Sequence, residues 1–332
     1  MGAGELPIAV DAMGGDRAPE EIIRGAVQAA AELDVPVALV GDPAVLAGFD
    51  TGGLEIIPAG EVIGMDEDAG TVRRKKDSSL VRAAEAVRDG RASAMVSAGN
   101  TGATMASALL RMGRLRGVSR PAIATPIPVP GSTPTVLLDA GANAECNPAM
   151  LVQFAQMGAA FATHRFGIDR PRVGLLSIGE EATKGTPMVK ETHALLRAGV
   201  AGVTFIGNVE GRDIMSDRVD VVVTDGFTGN VTLKTMEGTL QALVAAILGA
   251  MNASEENQRA AEVLLPALLP LYETLDPDTY GGAMLLGVQG VCIISHGSSS
   301  ARAVVNAVRV ARDLCRHDLV GELARVTAAA PV

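Results

Sequence analysis

The chain has few aromatic residues, few cysteines and few histidines. Aromatic residues make up 2% of its 332 residues and tryptophan is absent, so a core must be built from Ala, Val, Leu, Ile and Met. Cys146, Cys292 and Cys315 are far apart and none belongs to a C-x-x-C pair, which excludes a disulfide framework and is typical of a reducing cytoplasm. The four histidines lack metal-ligand spacing. We therefore expect no metal and no cofactor.

Long apolar runs and a targeting signal are also missing. No apolar run approaches the roughly 20 residues that span a bilayer, and "MGAGELP" leads into a strand-like segment without a basic and then an apolar region. These absences predict a cytoplasmic protein. The formal net charge of −10 argues against nucleic acid as a partner, because binding to nucleic acid depends on positive charge.

Three common motifs of nucleotide-binding proteins and hydrolases are absent. The sequence has no G-x-G-x-x-G, no G-x-x-x-x-G-K-[ST] and no G-x-S-x-G. A dinucleotide fingerprint, a P-loop and a serine hydrolase elbow are therefore excluded. No cysteine has an activating base near it in sequence, so a covalent nucleophile is not indicated.

What the sequence does contain is an alternation of strands and helices. Strands are predicted at 6–10, 36–40, 54–57, 93–97, 122–127, 135–138, 172–178, 203–206, 219–224 and 290–294. Most are continuous apolar runs, as in strands covered on both faces, and helical patterns lie at 78–89, 229–251 and 299–330. We predict an α/β fold with a mostly parallel sheet and helices on both faces. Because 332 residues exceed the usual size of one core, we expect two lobes within a single catalytic domain over 1–332.

Six polar turns follow predicted strands. They are "DAMGGD" 11–16, "SAGNTG" 97–102, "DAGANAEC" 139–146, "IGEEATKG" 178–185, "DGFTGN" 225–230 and "SHGSSS" 295–300. Ligands of parallel sheets bind beyond the carboxyl ends of the strands, so we expect these turns to converge on one crevice. Asp11, Asp139 and Asp225 stand directly after apolar strands, where the alternative interpretation is that they only cap their turns.

The turn at 97–102 has the features of an anion site. Its two glycines permit a tight turn, and Asn100 and Thr101 favour the start of a helix, whose free N–H groups attract anions. The turn has no lysine, so a cation must come from elsewhere in the chain. Lys184 and Lys234 are the candidates, against the alternative that each is a solvated surface residue.

At these residues the sequence resembles a known family. The segments "VDAMGGD", "SAGNTGAT", "LLDAGANAEC", "LLSIGEEATKG", "VVVTDGFTGNVTLKTMEG", "YGGAMLLGVQG" and "SHGSSS" occur in the order seen in bacterial phosphate acyltransferases (the PlsX family), and "VRRKKDSS" at 72–79 also resembles family sequence. The resemblance covers nearly the whole chain. It implies a homodimer with a fold like that of isopropylmalate dehydrogenases and phosphotransacetylases, without a nicotinamide cofactor. It further implies transfer of a fatty acyl group from acyl carrier protein to inorganic phosphate, giving an acyl phosphate for a membrane glycerol-3-phosphate acyltransferase.

The resemblance and the chemistry together suggest roles for individual residues. Phosphate is already a nucleophile near neutral pH, so the site must position it against a thioester and stabilise the oxyanion. We assign Lys184 as the cation, Asp225 as an orienting group and His296 as the acid for the leaving sulfur; the alternative for His296 is a hydrogen bond within a helix-start turn. The predicted substrate-binding residues are Asp11, Gly14, Gly15, Ser97, Gly99, Asn100, Thr101, Gly102, Asp139, Asn143, Gly229 and Asn230.

Two basic groups are candidates for docking the acidic acyl carrier protein, which the net charge of −10 would otherwise repel. The first comprises Arg73, Arg74, Lys75 and Lys76, and the second comprises Arg111, Arg114, Arg116 and Arg120. For the second group the alternative is a helix C-terminus, where cations are favoured without any partner.

The helical segment 229–285 is predicted to form a projecting tip that contacts a dimer partner or a membrane. Within it, 254–275 places leucines around Pro266 and Pro270, and prolines four apart disfavour a regular buried helix. One interpretation is a proline-broken tip that enters a bilayer interface, with a peripheral location on the inner face of the membrane. The other is that the leucines complete a dimer core.

Two other functions stay open at this point. The first is a small-acyl phosphotransacetylase that uses coenzyme A on the same scaffold, which a preference for short acyl donors would reveal. The second is a non-catalytic, membrane-associated scaffold that only binds partner enzymes. The converging polar turns argue against the second, because a pure scaffold needs no anion site.

Overall fold

The structure is a computed structural model that describes residues 5–328. This part of the chain forms one eleven-stranded sheet and ten α-helices. The strands are β1 (Ile8–Asp11), β2 (Val37–Gly41), β3 (Glu55–Pro58), β4 (Ala94–Ser97), β5 (Ala122–Ile127), β6 (Thr135–Leu138), β7 (Arg172–Leu176), β8 (Thr204–Val209), β9 (Val221–Val223), β10 (Ala283–Leu286) and β11 (Val291–Ile294). The helices are α1 (Glu20–Leu33), α2 (Pro43–Leu46), α3 (Ser79–Arg88), α4 (Thr101–Arg111), α5 (Pro148–Phe166), α6 (Pro187–Arg197), α7 (Gly226–Met251), α8 (Glu255–Leu275), α9 (Ala301–Arg316) and α10 (Leu319–Ala328).

The sheet consists of two parallel blocks that run in opposite directions. Its strand order is β3-β2-β1-β4-β11-β10-β5-β6-β9-β7-β8. Pairing is parallel within β3-β2-β1-β4-β11 and within β6-β9-β7-β8, and it is antiparallel around β10 and β5 in the centre. The predicted α/β fold with a mostly parallel sheet is therefore confirmed, and the reversal in the middle divides it.

The carboxyl ends of the two blocks meet in the middle of the sheet. Ile293, near the end of β11, pairs with Met284, which pairs with Ala124, which in turn pairs with Leu138 at the end of β6. The two blocks thus end at the same level although they run in opposite directions. Turns that follow strands of either block can therefore face one another, which positions the site described below.

All ten predicted strands have a counterpart in the sheet, and one strand was missed. The missed strand is β10, which is only four residues long and lies between Gly281–Gly282 and Gly287. Glycines on both sides indicate turns rather than a strand. The strand is nevertheless well defined because it pairs with a neighbour on each side, β11 and β5.

Helices cover both faces of the sheet with an interior of small aliphatic residues. One face packs against α1, α5 and α9, and the other against α3 and α4. Phe154 and Phe161 of α5 are among the largest fully buried side chains. This helix is apolar on all sides, as expected for a helix enclosed by protein.

The helical pattern predicted over 299–330 is confirmed for the described part of this segment, which forms two helices. Between α9 and α10 the chain breaks at His317–Asp318, and Asp318 has a φ of 48°. Aspartate tolerates this left-handed conformation better than most residues. Residues 329 and 330 lie outside the described part of the chain.

The later part of α7 and the whole of α8 form an antiparallel hairpin that projects from the body, here called the arm (residues 238–275). Its apolar side chains are largely exposed: Leu243 is 55% exposed, Val263 77% and Leu269 56%. By length and composition alone α7 could cross a membrane, and none of its apolar stretch is buried in the structure. The expectation that no apolar segment is long enough to span a bilayer is therefore not met.

The expected proline-broken tip is not found. Pro266 and Pro270 lie inside α8, which is continuous from Glu255 to Leu275, and the turn between the helices is at 252–254. The apolar residues around the prolines therefore lie on the returning helix rather than at the tip. Because this helix is mostly exposed, carbonyls left without an N–H partner by the prolines can bond to solvent.

Candidate functional site

A cavity of about 320 Å³ lies where the two blocks of the sheet meet. Five of the six polar turns contribute residues to the lining of this cavity. The contributing residues include Asp16, Gly99, Thr101, Ala140, Asn230 and His296. The turn at 178–185 does not contribute, and Lys184 is exposed outside this lining. The predicted convergence on one crevice thus holds for five turns.

Glycines let the turns pack closely against one another. A Cβ added at Gly14 would overlap an Asp11 carboxylate oxygen and stand 2.9 Å from the Gly99 Cα. On the other side of the cavity, a Cβ at Gly229 would overlap the Asp139 carbonyl oxygen. These positions require glycine because another segment of backbone or side chain occupies the space that any other residue needs.

Asp11 is fully buried, and its hydrogen bonds link the turn at 11–16 to the turn at 97–102. Its carboxylate accepts hydrogen bonds from the Ser97 hydroxyl (2.7 Å) and the Met13 N–H (3.2 Å), and Ser97 in turn accepts from the Gly99 N–H (2.9 Å). Burial raises the pKa of Asp11, while the hydroxyl donors Ser79 and Ser97 oppose that rise. Asp11 therefore fixes the shape of the turn at 97–102.

Asp139 plays the same part in the other block. Its carboxylate accepts from the N–H groups of Ile123 (3.0 Å), Ala142 (2.9 Å) and Asn143 (2.7 Å), and from the Asn143 side-chain amide (2.9 Å). Burial raises the pKa of Asp139, and these N–H donors act against it. Both aspartates thus cap their turns, as the simpler interpretation of the sequence expected.

The N-terminus of α4 presents unused N–H groups at the cavity. Asn100 caps the helix by accepting from the Ala103 N–H (2.9 Å). Among residues 5–328 there is no acceptor for the N–H groups of Thr101 and Gly102. A helix N-terminus in this state attracts anions through its dipole and its free donors.

A second helix N-terminus at the cavity, that of α9, is already occupied. The Ala301 N–H donates to the Glu21 carboxylate (2.9 Å) and the Ala303 N–H to the capping Ser300 hydroxyl (3.3 Å). The protein's own carboxylate therefore fills the position that an anion would take. Among residues 5–328 there is no acceptor for the Arg302 N–H, so α9 has one such donor and α4 has two.

The first turns of α7 form one wall of the cavity. Asp225 caps this helix by accepting from the Thr228 N–H (2.9 Å) and hydroxyl (2.8 Å), and the Asn230 amide donates to the Ala140 carbonyl (3.3 Å). Lys234 lines the cavity and pairs with Glu237 (2.8 Å). Lys234, the second of the two candidate cations, is thus the one that the structure brings to this cavity.

His296 lies in the lining and is held by its own turn. Its Nδ1 lies 2.8 Å from the Ser298 hydroxyl and accepts from the Ser298 N–H (3.3 Å). With Nδ1 as the acceptor, the neutral ring carries its proton on Nε2. His296 therefore fits both interpretations of the sequence, since it is bonded within a helix-start turn and also faces the cavity.

Other predicted site residues lie outside the lining, and some lining residues were missed. Outside it are Asp11, Gly14, Gly15, Ser97, Asn100, Gly102, Asp139, Asn143, Asp225 and Gly229, whose contact with substrate stays a prediction. Asp278, Tyr280 and Glu237 were missed. Burial raises the pKa of Asp278, which accepts from the Ser300 hydroxyl (3.1 Å). Tyr280 opens the family-like "YGGAMLLGVQG", a signal that could have identified it.

In each of the two basic groups, two of the four cations are bonded within the chain. Lys75 pairs with Glu67, and Arg111 lies 3.7 Å from the Glu85 carboxylate. Arg74 donates to the Thr71 hydroxyl (3.0 Å) and Arg114 to the Ser119 carbonyl. The exposed cations without an ion pair to any of residues 5–328 include Arg73, Lys76, Arg116 and Arg120.

Candidate metal ligands are not grouped in the described part of the chain. No set of three or more His, Cys, Asp and Glu side chains among residues 5–328 is placed to hold a metal ion. The expectation that no residue of the protein binds a metal stays a prediction.

Solved structures with the same fold include two enzyme classes. EutD phosphotransacetylase from Staphylococcus aureus matches with a TM-score of 0.60 at 16% identity, covering 94% of each chain. A 4-hydroxythreonine-4-phosphate dehydrogenase from Klebsiella pneumoniae matches with a TM-score of 0.56 at 15% identity, covering 94% of this chain and 100% of the other. The chain is thus an α/β protein with the fold that these two enzyme classes share.

Sequence similarity is much closer to one family. The model of the family described as "Fatty acid synthesis protein" matches residues 6–321. The phosphate acyltransferase of Heliobacterium modesticaldum is 49% identical over 96% of both chains, and that of Elusimicrobium minutum is 50% identical over 96% of this chain and 95% of its own. The chain belongs to the phosphate acyltransferase family, and it is an acyltransferase. The resemblance that the sequence motifs indicated is thereby confirmed.

Proposed function

We propose that the protein transfers a long-chain fatty acyl group from acyl carrier protein to inorganic phosphate. The observation that carries the proposal is the cavity, where free helix N–H groups and Lys234 lie beside an apolar wall. The family membership supports the same reaction. One phosphate oxygen attacks the thioester carbon, the C–S bond breaks, and the products are an acyl phosphate and the carrier thiol.

The phosphate binds at the N-terminus of α4 in this proposal. Thr101 and Gly102 offer N–H donors there, and Lys234 supplies positive charge once phosphate competes with Glu237 for it. Phosphate needs no activation by a base, so its orientation against the thioester dominates the rate. The same donors are placed to stabilise the oxyanion of the tetrahedral intermediate.

The acyl group lies along the apolar part of the cavity. Ile123 and Pro126 of β5, Leu233 of α7 and Ile294 of β11 contribute to this wall. Burying methylene groups against it contributes about 0.8 kcal/mol for each, which favours a fatty acyl donor over an acetyl donor.

The leaving thiol departs with the help of His296. A thiol has an unperturbed pKa of about 8.5, so little acid assistance is needed, and the Nε2 proton of His296 is available at the cavity. A cysteine intermediate is disfavoured because burial raises the pKa of Cys146 to about 11.

The decisive experiment incubates the pure protein with palmitoyl carrier protein and phosphate, and detects palmitoyl phosphate by mass spectrometry. Formation of the acyl phosphate supports the proposal. The fold shared with a phosphotransacetylase favours a second candidate, which acts on short acyl groups carried by coenzyme A. A series of donors from acetyl to palmitoyl on both carriers distinguishes the two. If no donor reacts, the proposed substrates are wrong.

The partners follow from the same reaction. We propose that the carrier protein docks on the exposed cations near Arg73 and Lys76, which lie close in sequence to Met65 of the cavity lining. We further propose a homodimer in the cytoplasm with peripheral membrane contact through the arm, because Val263 and Leu269 expose apolar surface there. Such contact would allow the acyl phosphate to pass to a membrane acyltransferase. A non-catalytic scaffold is disfavoured by the acyltransferase family membership.

A further inference from the structure

The segment at residues 60–68, here called the cover segment, closes one side of the cavity. It follows β3, and Met65 is part of the cavity lining. The Met65 side chain reaches the turn after β11, because a Cβ added at Gly297 would stand 2.7 Å from the Met65 Cε. The cover segment thus extends to the turn that carries His296.

The Asn100 side chain joins this segment to the N-terminus of α4. Its Nδ2 donates to the carbonyl oxygens of Met65 and Glu67, both at 2.9 Å. Its Oδ1 accepts from the Ala103 N–H at 2.9 Å. Both N–H groups and the oxygen of the amide are therefore in use, so the side chain has no N–H left for phosphate.

The cover segment is bonded within itself and to Lys75, which lies beyond its end. Glu67 accepts from the Gly64 N–H (2.9 Å) and pairs with Lys75, which also donates to the Val62 carbonyl (2.7 Å). These bonds fix the shape of the segment and join it to the chain that follows it.

Its attachments to the rest of the protein include both of its ends, the bonds from Lys75, and Ile63, which is buried in the core. At the start, the Gly60 N–H donates to the Asp77 carboxylate (2.9 Å) and the Ser79 N–H donates to the Glu61 carbonyl (3.1 Å). At the end nearest the cavity, the two bonds from Asn100 hold it. Asn100 is thus the side chain that fastens the cavity end of the cover segment.

We propose that Asn100 is a positioning residue that holds the cover segment over the cavity, and that it does not bind phosphate. The proposal rests on the proposed function, in which Met65 forms part of the wall for the acyl group. Releasing Asn100 then weakens binding of the acyl donor and leaves phosphate binding unchanged. This differs from the role that the sequence predicted for Asn100.

The first test needs no substrate and uses Asn100→Ser in the full chain. Serine caps helices as well as asparagine does, so α4 stays capped while both bonds to the cover segment are lost. We expect the amides of Gly64 and Glu67 to exchange with deuterium on the order of ten-fold faster. Asn147→Ser is the matched control: Asn147 caps α5 through the Met150 N–H (2.9 Å) and is remote in sequence from the cover segment. It should leave these two amides unchanged.

The second test measures the two Michaelis constants of Asn100→Ser and Asn100→Asp. Both variants keep the cap and lose the donors, so both should raise KM for the acyl donor several-fold. The serine variant should leave KM for phosphate unchanged, and only the aspartate should raise it, through repulsion.

Two results would overturn the proposal. Unchanged exchange at Gly64 and Glu67 in Asn100→Ser would mean that the cover segment does not depend on this side chain. A rise in the phosphate KM of Asn100→Ser without a rise for the acyl donor would make Asn100 a phosphate ligand. Because exchange is measured on the protein alone, that result stands even if the proposed substrates are wrong.

Discussion

The body and the arm use the same apolar residue types in opposite ways. In the body, Leu39 and Leu138 are fully buried, whereas Leu243 of the arm is 55% exposed and Leu269 is 56% exposed. Burial of these side chains in the body stabilises the fold. The apolar side chains of the arm stay largely exposed, so they contribute little to that stability. Helix α7 belongs to both regions, since its first turns line the cavity and the rest forms the arm. The exposed apolar surface of the arm is the observation on which its proposed contact outside the chain rests.

The largest expected effect tests the junction between the two regions. Gly229→Ala should lower the free energy of unfolding by about 3 kcal/mol or more, because the added Cβ overlaps the Asp139 carbonyl oxygen. Gly238→Ala, in the arm part of the same helix, should be neutral or stabilising by up to about 1 kcal/mol, because its Cβ meets open space. Denaturant unfolding measures both. Equal effects would mean that the junction is no tighter than the arm.

The next effect concerns the cation in the body. Lys234→Met should reduce kcat/KM about 100-fold, the loss typical of one preorganised donor. Lys184→Met is the matched comparison, because the sequence analysis assigned Lys184 as the cation and the residue lies outside the cavity lining. Steady-state kinetics with saturating acyl donor decide between them. A larger loss for Lys184 would return the cation role to that residue.

A third test acts on the arm alone. Replacing Leu268 and Leu269 together with Glu should abolish flotation with liposomes and leave turnover of soluble substrates unchanged, because both side chains lie on the arm. Leu195→Glu, at an exposed leucine of the body, should leave flotation unchanged. Size-exclusion chromatography shows whether the double variant is still a dimer. Dissociation of the dimer would assign these leucines to a protein interface instead.

Charge reversal at the body surface should have a smaller effect. Arg73→Glu with Lys76→Glu should raise KM for carrier protein several-fold without changing KM for phosphate, and the effect should shrink as salt screens the charges. Arg116→Glu with Arg120→Glu applies the same reversal to the second basic group. If neither pair changes KM for carrier protein, docking takes place elsewhere.

The smallest expected effect is that of metal removal. We expect turnover to persist in excess EDTA, because positioning and N–H donors suffice for attack by phosphate in the proposed reaction. Complete loss of activity that magnesium restores would show that carboxylates at the cavity hold a metal.

Much of the body could be predicted because its signals are local. Apolar runs bounded by polar turns identified ten strands, and Asp139 and Asp225 follow strands as expected. The reversal of direction at the centre was not predictable, since it depends on the pairing of β10 with β5 and β11. A short strand between glycines carries no sign of which neighbours it will have.

The site was harder to predict than the fold because its residues act across the sheet. Lys184 lies within a polar turn and Lys234 follows one, and the packing of α7 against the Asp139 turn brings Lys234 to the cavity. The sequence predicts that Asn100 donates to phosphate, because this residue stands at the start of a helix. The carbonyls of Met65 and Glu67, more than thirty residues away in sequence, are what its side chain contacts.

The shared helix α7 also has a mechanical consequence. At 1.5 Å per residue, Lys234 lies about 12 Å from the start of the helix at Gly226, and Met251 lies about 38 Å from it. A straight rod that pivots at its base therefore moves Lys234 by about one third of any sideways displacement at the far end. A surface that shifts the end of the arm by about 3 Å would move the lysine by about 1 Å, a distance that changes the alignment of reacting groups. The arm would then act as a lever that converts a displacement at its far end into a smaller displacement of Lys234 at the cavity.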